Sequence, residues 1–209
     1  MQARRGWFIV IDGADYTGKS TQARRLASRL RRRFGRVLHL REPGSTRIGE
    51  SVRAILLDPR NARMAMTTET LLYMAARAQL VDEVIRPALD RGTTVVCERF
   101  LLSTAVYQGI AGGVGVSPVM ALGRFAIGRT RPDLTILLDI DAREAERRHL
   151  GRKDRIERRG LPYQQHVRAG FRRLARGQPH TVIVDARGTV DDVSARIDAA
   201  VSRRLRILA

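Results

Sequence analysis

Sulfur and aromatic chemistry are both scarce in this chain. Its one cysteine, Cys97, excludes an internal disulfide and any zinc spacing. Cys97 closes an apolar run and is expected to be a small core residue. Aromatic residues make up 5% of the chain, too few for a platform on which nucleic-acid bases stack. No apolar run approaches a membrane span, so no membrane contact is expected. His39, His149, His166 and His180 show no metal-ligand spacing. Lysine is nearly missing too: Lys19 and Lys153 are the only ones, so the net charge of +18 is almost wholly arginine. That charge favours polyanions such as nucleotides, nucleic acids or acidic surfaces. An arginine skew reflects codon composition as readily as function. The runs Arg29 to Arg33 and Arg203 to Arg206 fall on helical patterns and read as solvated faces, so nucleic acid is not expected as a main partner.

What is present is a phosphate loop. Gly13-Ala14-Asp15-Tyr16-Thr17-Gly18-Lys19-Ser20 fits G-x-x-x-x-G-K-S, followed by Thr21. The apolar run Trp7–Ile11 precedes it and a helical pattern follows. Glycines there let successive N–H groups turn inward on an anion, and the helix adds its positive end. Lys19 is expected to reach the β- and γ-phosphates of ATP, and the Ser20 hydroxyl to ligate Mg²⁺.

At 209 residues the chain is read as one domain, 1–209. The apolar run follows Gly6 so closely that no secretory signal fits, and a cytoplasmic address is expected. Apolar runs at Trp7–Ile11, Val37–Leu40, Thr93–Cys97, Leu134–Ile140 and Thr181–Val184 alternate with helical patterns. They lack clean alternation, as strands of a parallel sheet covered on both faces do. The pattern predicts a three-layer α/β fold: a five-stranded parallel sheet flanked by helices. A first helix carries Ala23, Leu26, Ala27 and Leu30 on one face and stops near Gly35. A long helix is expected from about Thr68 to Asp90, bent or shortened by Pro87. A last helix opens on Thr189 and Asp192 at capping-box spacing.

From Arg143 onward the chain is rich in arginine, with Gly151 and Gly160 as hinges. A basic lid over about 143–163 or a solvated helical hairpin both fit this composition.

Further patches suit an acceptor. Arg41-Glu42-Pro43-Gly44 follows the second strand, at the edge where open α/β sheets bind ligands. Tyr73 and Arg77 stand one helical turn apart, so a base can stack on one while a guanidinium grips from the same side. Glu98-Arg99-Phe100 follows the third strand and leads into Ser103-Thr104-Ala105-Val106-Tyr107-Gln108-Gly109. Arg131-Pro132-Asp133-Leu134 opens the fourth strand, and Asp154-Arg155-Ile156-Glu157 lies in the basic segment. Each has a bland alternative: Tyr73 as core, Arg77 or Arg99 pairing with structural carboxylates, Tyr107 as a capping aromatic, Arg41 as a loop cap.

Taken in order, these patches resemble the thymidylate kinase family of P-loop nucleoside monophosphate kinases, from Phe8 to about Val193. The resemblance implies phosphoryl transfer from ATP to dTMP, with Mg²⁺, in a homodimer. It implies that the loop from Gly13 to Thr21 holds the donor, with Lys19 on its phosphates and Ser20, Asp15 and Glu98 directed at the metal. Asp15 also falls near the acceptor. Tyr73 matches an aromatic that stacks on thymine; Arg77 and Arg99 match arginines on the acceptor monophosphate. Arg41 and Gln108 match residues near the base, and Tyr107 one that lies under the deoxyribose. Arg148, Arg152 and Arg155 become candidates for neutralising the transferring group. Asp12 stands where the family usually has glutamate, and Glu98 where it has aspartate; both keep a carboxylate for the site. Tyr16 replaces a glycine, or in some members an arginine, and is expected to strain or reshape the loop. A kinase acting on another nucleoside monophosphate, or a non-catalytic nucleotide- or nucleic-acid-binding protein on the same fold, are the alternatives.

Overall fold

A computed structural model describes residues 5–149 and 151–205. Met1 to Arg4, Leu150 of the basic segment and Arg206 of the C-terminal basic run lie outside the described residues.

Strand β1 (Phe8–Gly13) is buried along its whole length. Its side chains alternate, so Ile9 and Ile11 face one layer and Phe8 and Val10 the other. Helix α1 (Lys19–Phe34) follows the phosphate loop and ends at Gly35, whose φ of 78° suits a glycine. Its expected face of Ala23, Leu26, Ala27 and Leu30 is buried against β1. After β2 (Val37–Arg41) comes α2 (Arg47–Leu57), which sequence reasoning missed. Thr46 caps it by accepting from the Gly49 N–H at 2.9 Å. Ile48 and Ile55 remain about half exposed there, so no strong buried stripe marks the helix.

Helix α3 (Met66–Leu80) continues through a wide π turn at Val81–Ile85 into α4 (Arg86–Asp90). The expected bend at Pro87 takes this form. A proline ring clashes with the carbonyl four residues back, here Glu83, and the wide turn there relieves the clash. Strand β3 (Thr94–Glu98) leads through the short α5 (Leu101–Thr104) and a second π stretch (Ala105–Ala111) to α6 (Val116–Ile127). Strand β4 (Leu134–Asp139), α7 (Ala142–Glu146), α8 (Gly160–Ala175), β5 (Thr181–Asp185) and α9 (Val190–Leu205) complete the order. Thr189 and Asp192 form the expected cap of α9: the Asp192 carboxylate accepts from the Thr189 N–H at 2.9 Å and from its hydroxyl at 2.8 Å.

The five strands are all parallel, in the order β2-β3-β1-β4-β5. Helices α1 and α9 cover one face through Leu26, Leu30, Val193 and Ile197. Leu80, Val81, Ile85 and Val119 cover the other, where Cys97 is fully buried and burial pushes its thiol well above the ordinary value. The three-layer α/β fold read from the sequence is the fold of the protein. Its order brings the carboxyl ends of β1, β2 and β3 together, and the phosphate loop, Arg41 and Glu98 with them. No described helix is long and apolar enough to cross a membrane.

Candidate active site

The phosphate loop closes on itself tightly. Gly13 has φ 146°, and a Cβ there would lie 2.6 Å from the Leu138 carbonyl oxygen, so only glycine fits. The Thr17 hydroxyl donates to the Ala14 carbonyl at 3.0 Å. Tyr16 takes φ 62°, the left-handed region, as expected of a residue standing in a glycine's place. Its ring packs 4.6 Å from that of His149, and its hydroxyl oxygen is buried with no hydrogen-bond partner among the described residues.

Lys19 is buried and donates to the Ala14 carbonyl. Burial and the nearby Arg99 pull its ammonium down to about 7, against the opposing pull of Asp15, Asp12 and Glu98. Between about pH 7 and the ordinary lysine value the unfolded chain therefore holds a proton here that the folded chain lacks, and the stability that depends on Lys19 rises with pH across that window. A polyphosphate bound there would restore the charge. We therefore expect ATP binding near pH 8 to take up close to one proton, read by calorimetry in two buffers of different ionisation enthalpy. Equal apparent enthalpies in the two buffers would contradict this.

Asp15 is the junction of the site. One oxygen accepts from Arg99 and the other from Gln164 Nε2 at 2.7 Å. Burial pushes its carboxyl up, but Arg99, Lys19 and Gln164 outweigh that and hold it below the ordinary value. Arg99 also donates to the Gly13 carbonyl and the Ser103 hydroxyl, both at 3.1 Å, and its guanidinium lies 5.1 Å from the centre of the Tyr107 ring. On the donor side the Ser20 hydroxyl donates to Glu98, whose other oxygen is 2.7 Å from His39 Nε2. Burial raises the Glu98 carboxyl, and the bonds from His39 and Ser20 bring it below the ordinary value.

The opposite wall comes from α3, the loop after β2 and the π stretch after α5. Arg77 is fully buried: its Nε donates to Glu42 at 2.8 Å and its Nη2 to the Thr104 hydroxyl at 3.0 Å. Burial pushes Glu42 up to about 7 despite Arg77, and its second oxygen has no partner among the described residues. Arg41 is exposed and reaches Glu50 at 3.1 Å. The Gln108 amide donates to Glu69 at 2.8 Å.

These two walls enclose a cavity of about 920 Å³, roomy for a single small ligand. It is lined by Asp15 to Thr21, Arg41, Tyr73, Arg77, Glu98, Arg99, Tyr107, Gln108 and Arg148. Gly13 and Ala14 form the base of the loop behind that surface. Three other residues singled out from the sequence lie elsewhere. Asp12 is fully buried behind the wall, accepting from the Ser103 hydroxyl at 2.6 Å and its N–H at 3.2 Å. Arg152 is exposed and does not line the cavity among the described residues. Arg155 turns inward: its Nε donates to the Leu56 carbonyl and its Nη2 pairs with Glu69, both at 2.6 Å. Of the three arginines proposed for the transferring group, only Arg148 reaches the cavity. It is anchored there by the Ala186 carbonyl at 3.1 Å.

Sequence reasoning missed Glu69 and Gln164, and named Glu42 and Ser103 only as members of their patches, without a role. Glu69 carried a usable signal, because it precedes Tyr73 by one helical turn on the same face. The others are ordinary polar residues whose partners come from distant segments.

A phosphate loop after the first strand of an all-parallel sheet, facing a second wall with the buried Arg77 and the aromatics Tyr73 and Tyr107, defines a P-loop α/β protein. Comparison with known proteins narrows the class. The family model described as thymidylate kinase matches residues 11–197, and the chain belongs to that family. It is 43% identical over 205 residues to a thymidylate kinase of Symbiobacterium thermophilum, covering 95% of this chain and 96% of the relative. A Geobacter sulfurreducens thymidylate kinase is 44% identical over 201 residues, covering 92% and 94%. One from Desulforudis audaxviator is 47% identical over 184 residues, covering 87% and 83%.

Proposed function

We propose that this protein transfers the γ-phosphoryl group of ATP to dTMP, giving dTDP and ADP. The observation that carries the reading is the convergence of Lys19, Asp15 and Arg99 between the phosphate loop and the wall of Tyr73, Arg77 and Tyr107. Lys19 binds the donor's terminal phosphates in place of the Ala14 carbonyl it now holds. Arg99 turns part of its fork from Asp15 to the acceptor phosphate, and Arg77 supports the acceptor from the opposite wall. Tyr73 stacks on thymine, with Arg41 and Gln108 near the base, and Tyr107 lies under the deoxyribose. Phosphoryl transfer asks little covalent chemistry of the protein, so these groups act by positioning and by charge.

Magnesium belongs to this reading. Ser20, Glu98 and Asp15 are oxygen donors facing the cavity, which suits an ion held by a few protein groups and substrate phosphates. Bound there, it would neutralise phosphate charge. The described residues form no cluster of three or more His, Cys, Asp or Glu able to cage a metal unaided, in keeping with that division of ligands. The same reading takes the protein to be a cytoplasmic homodimer. Leu71 on α3, with Leu122 and Phe125 on the adjacent α6, supplies an exposed apolar face, and Phe125 is 91% exposed.

An ADP-release assay over a panel of nucleoside monophosphates tests the assignment. We expect dTMP to be the best acceptor, and its ribose counterpart to be used poorly because Tyr107 occupies the space below C2′. Equal use of the ribose acceptor would refute the role given to Tyr107; preference for another base would refute the substrate.

A further inference from the structure

Glu69 engages Gln108, Arg155 and Arg159 at once, and nothing in the transfer chemistry requires it. It is completely buried in α3. One oxygen accepts from the Gln108 amide at 2.8 Å. The other is shared by two guanidiniums of the basic segment. Arg159 Nη2 donates to it at 2.7 Å. Arg155 Nη2 lies 2.6 Å away, close enough for an ion pair but not aligned as a hydrogen bond. Arg159 also donates to the Tyr163 hydroxyl at 2.7 Å, and that hydroxyl donates to the Tyr107 carbonyl at 3.1 Å. Gln108 and Tyr107 line the acceptor wall, while Arg148 and Glu157 of the basic segment line the same cavity.

We infer that Glu69 is a positioning residue that ties the acceptor wall to the basic lid, so that seating the acceptor orders the lid and tightens the donor site. The inference rests on the function proposed above. Its physical basis is the sharing of one dry carboxylate. Water cannot replace a partner that drifts away, so Gln108 and the two arginines hold or loosen together. An acceptor that fixes Gln108 fixes Glu69, and with it Arg155, Arg159 and the chain from Gly151 to Gly160. The ordering then need not be repeated when the donor binds, and affinity for the donor rises. A carboxylate that merely stabilised the fold would contribute equally with and without acceptor.

Calorimetry with a non-hydrolysable ATP analogue, with and without saturating dTMP, separates the two cases. For the wild type we expect dTMP to tighten analogue binding about fivefold or more. Glu69→Gln keeps the size of the side chain and an acceptor for Gln108 but removes the charge that holds both guanidiniums. We expect it to bind the analogue alone within about threefold of wild type and to lose the tightening, with the ratio falling to within about twofold of one. A folded Glu69→Gln protein that keeps the wild-type ratio overturns the inference, as does a wild type that binds both ligands without coupling. A wild type that fails to bind dTMP would instead overturn the function itself. Should Glu69→Gln fail to fold, Arg159→Met cuts the same link from the lid side at a partly exposed residue. Retention of the ratio in that variant overturns the inference equally.

Discussion

Replacing Lys19 with alanine is expected to abolish nearly all phosphoryl transfer while leaving the fold intact. Lys19 sits at the start of α1, buried, with its ammonium against the Ala14 carbonyl of the loop. No other lysine or arginine stands within the loop from Gly13 to Thr21, so nothing there replaces its charge on the γ-phosphate. Its side chain lines the cavity and is not part of the apolar core, so removing it leaves that core intact. Retention of more than about a tenth of wild-type turnover, with an unchanged melting temperature, would contradict the role. If Lys19→Ala simply failed to fold, Lys19→Met would carry the test.

The second large effect is expected at Arg148. Tyr16 cannot supply positive charge from the loop, and Arg152 and Arg155 do not line the cavity among the described residues. Arg148 remains as the basic-segment arginine on the cavity wall, anchored by Ala186 and 3.6 Å from Glu144. A guanidinium that meets charge developing during transfer acts more on the transition state than on bound ATP. Arg148→Ala should therefore lower kcat about a hundredfold while KM for ATP changes little. A normal kcat in this variant would remove the basic segment as the source of the neutralising charge. A rise in KM alone would make Arg148 a donor-binding residue.

The fold was legible because its strands are covered on both faces, which leaves continuous apolar runs, and because α1 and α9 carry full buried stripes. Helix α2 was missed although Ile48, Val52, Ile55 and Leu56 stand at helical spacing; the fold leaves Ile48 and Ile55 half exposed. Within the site, residues whose roles follow from local geometry could be named early. Lys19 and Ser20 stand where the loop motif puts them, and Tyr73 and Arg77 share a helix face, with Arg77 also in the structural pairing, here with Glu42, that the sequence left open. Tyr16 belongs here too: its left-handed backbone follows from the position it occupies. Residues whose partners lie far along the chain could not be resolved. Arg155 looks like any other arginine of a basic segment, and only folding reveals that Glu69 takes it out of the cavity. Asp12 immediately precedes the loop motif, yet the sheet buries it and commits it to Ser103. Glu42 reads as part of a turn, but in the fold it is buried and accepts from Arg77.

The central claim is that the two walls of one cavity hold a donor and an acceptor for direct transfer. Following the γ-phosphate of labelled ATP tests it most directly. The account predicts that, with Mg²⁺ and dTMP present, label appears in dTDP in step with ADP, and that omitting dTMP stops both. Label released as inorganic phosphate at a rate indifferent to dTMP, or no turnover by well-folded protein, would contradict it.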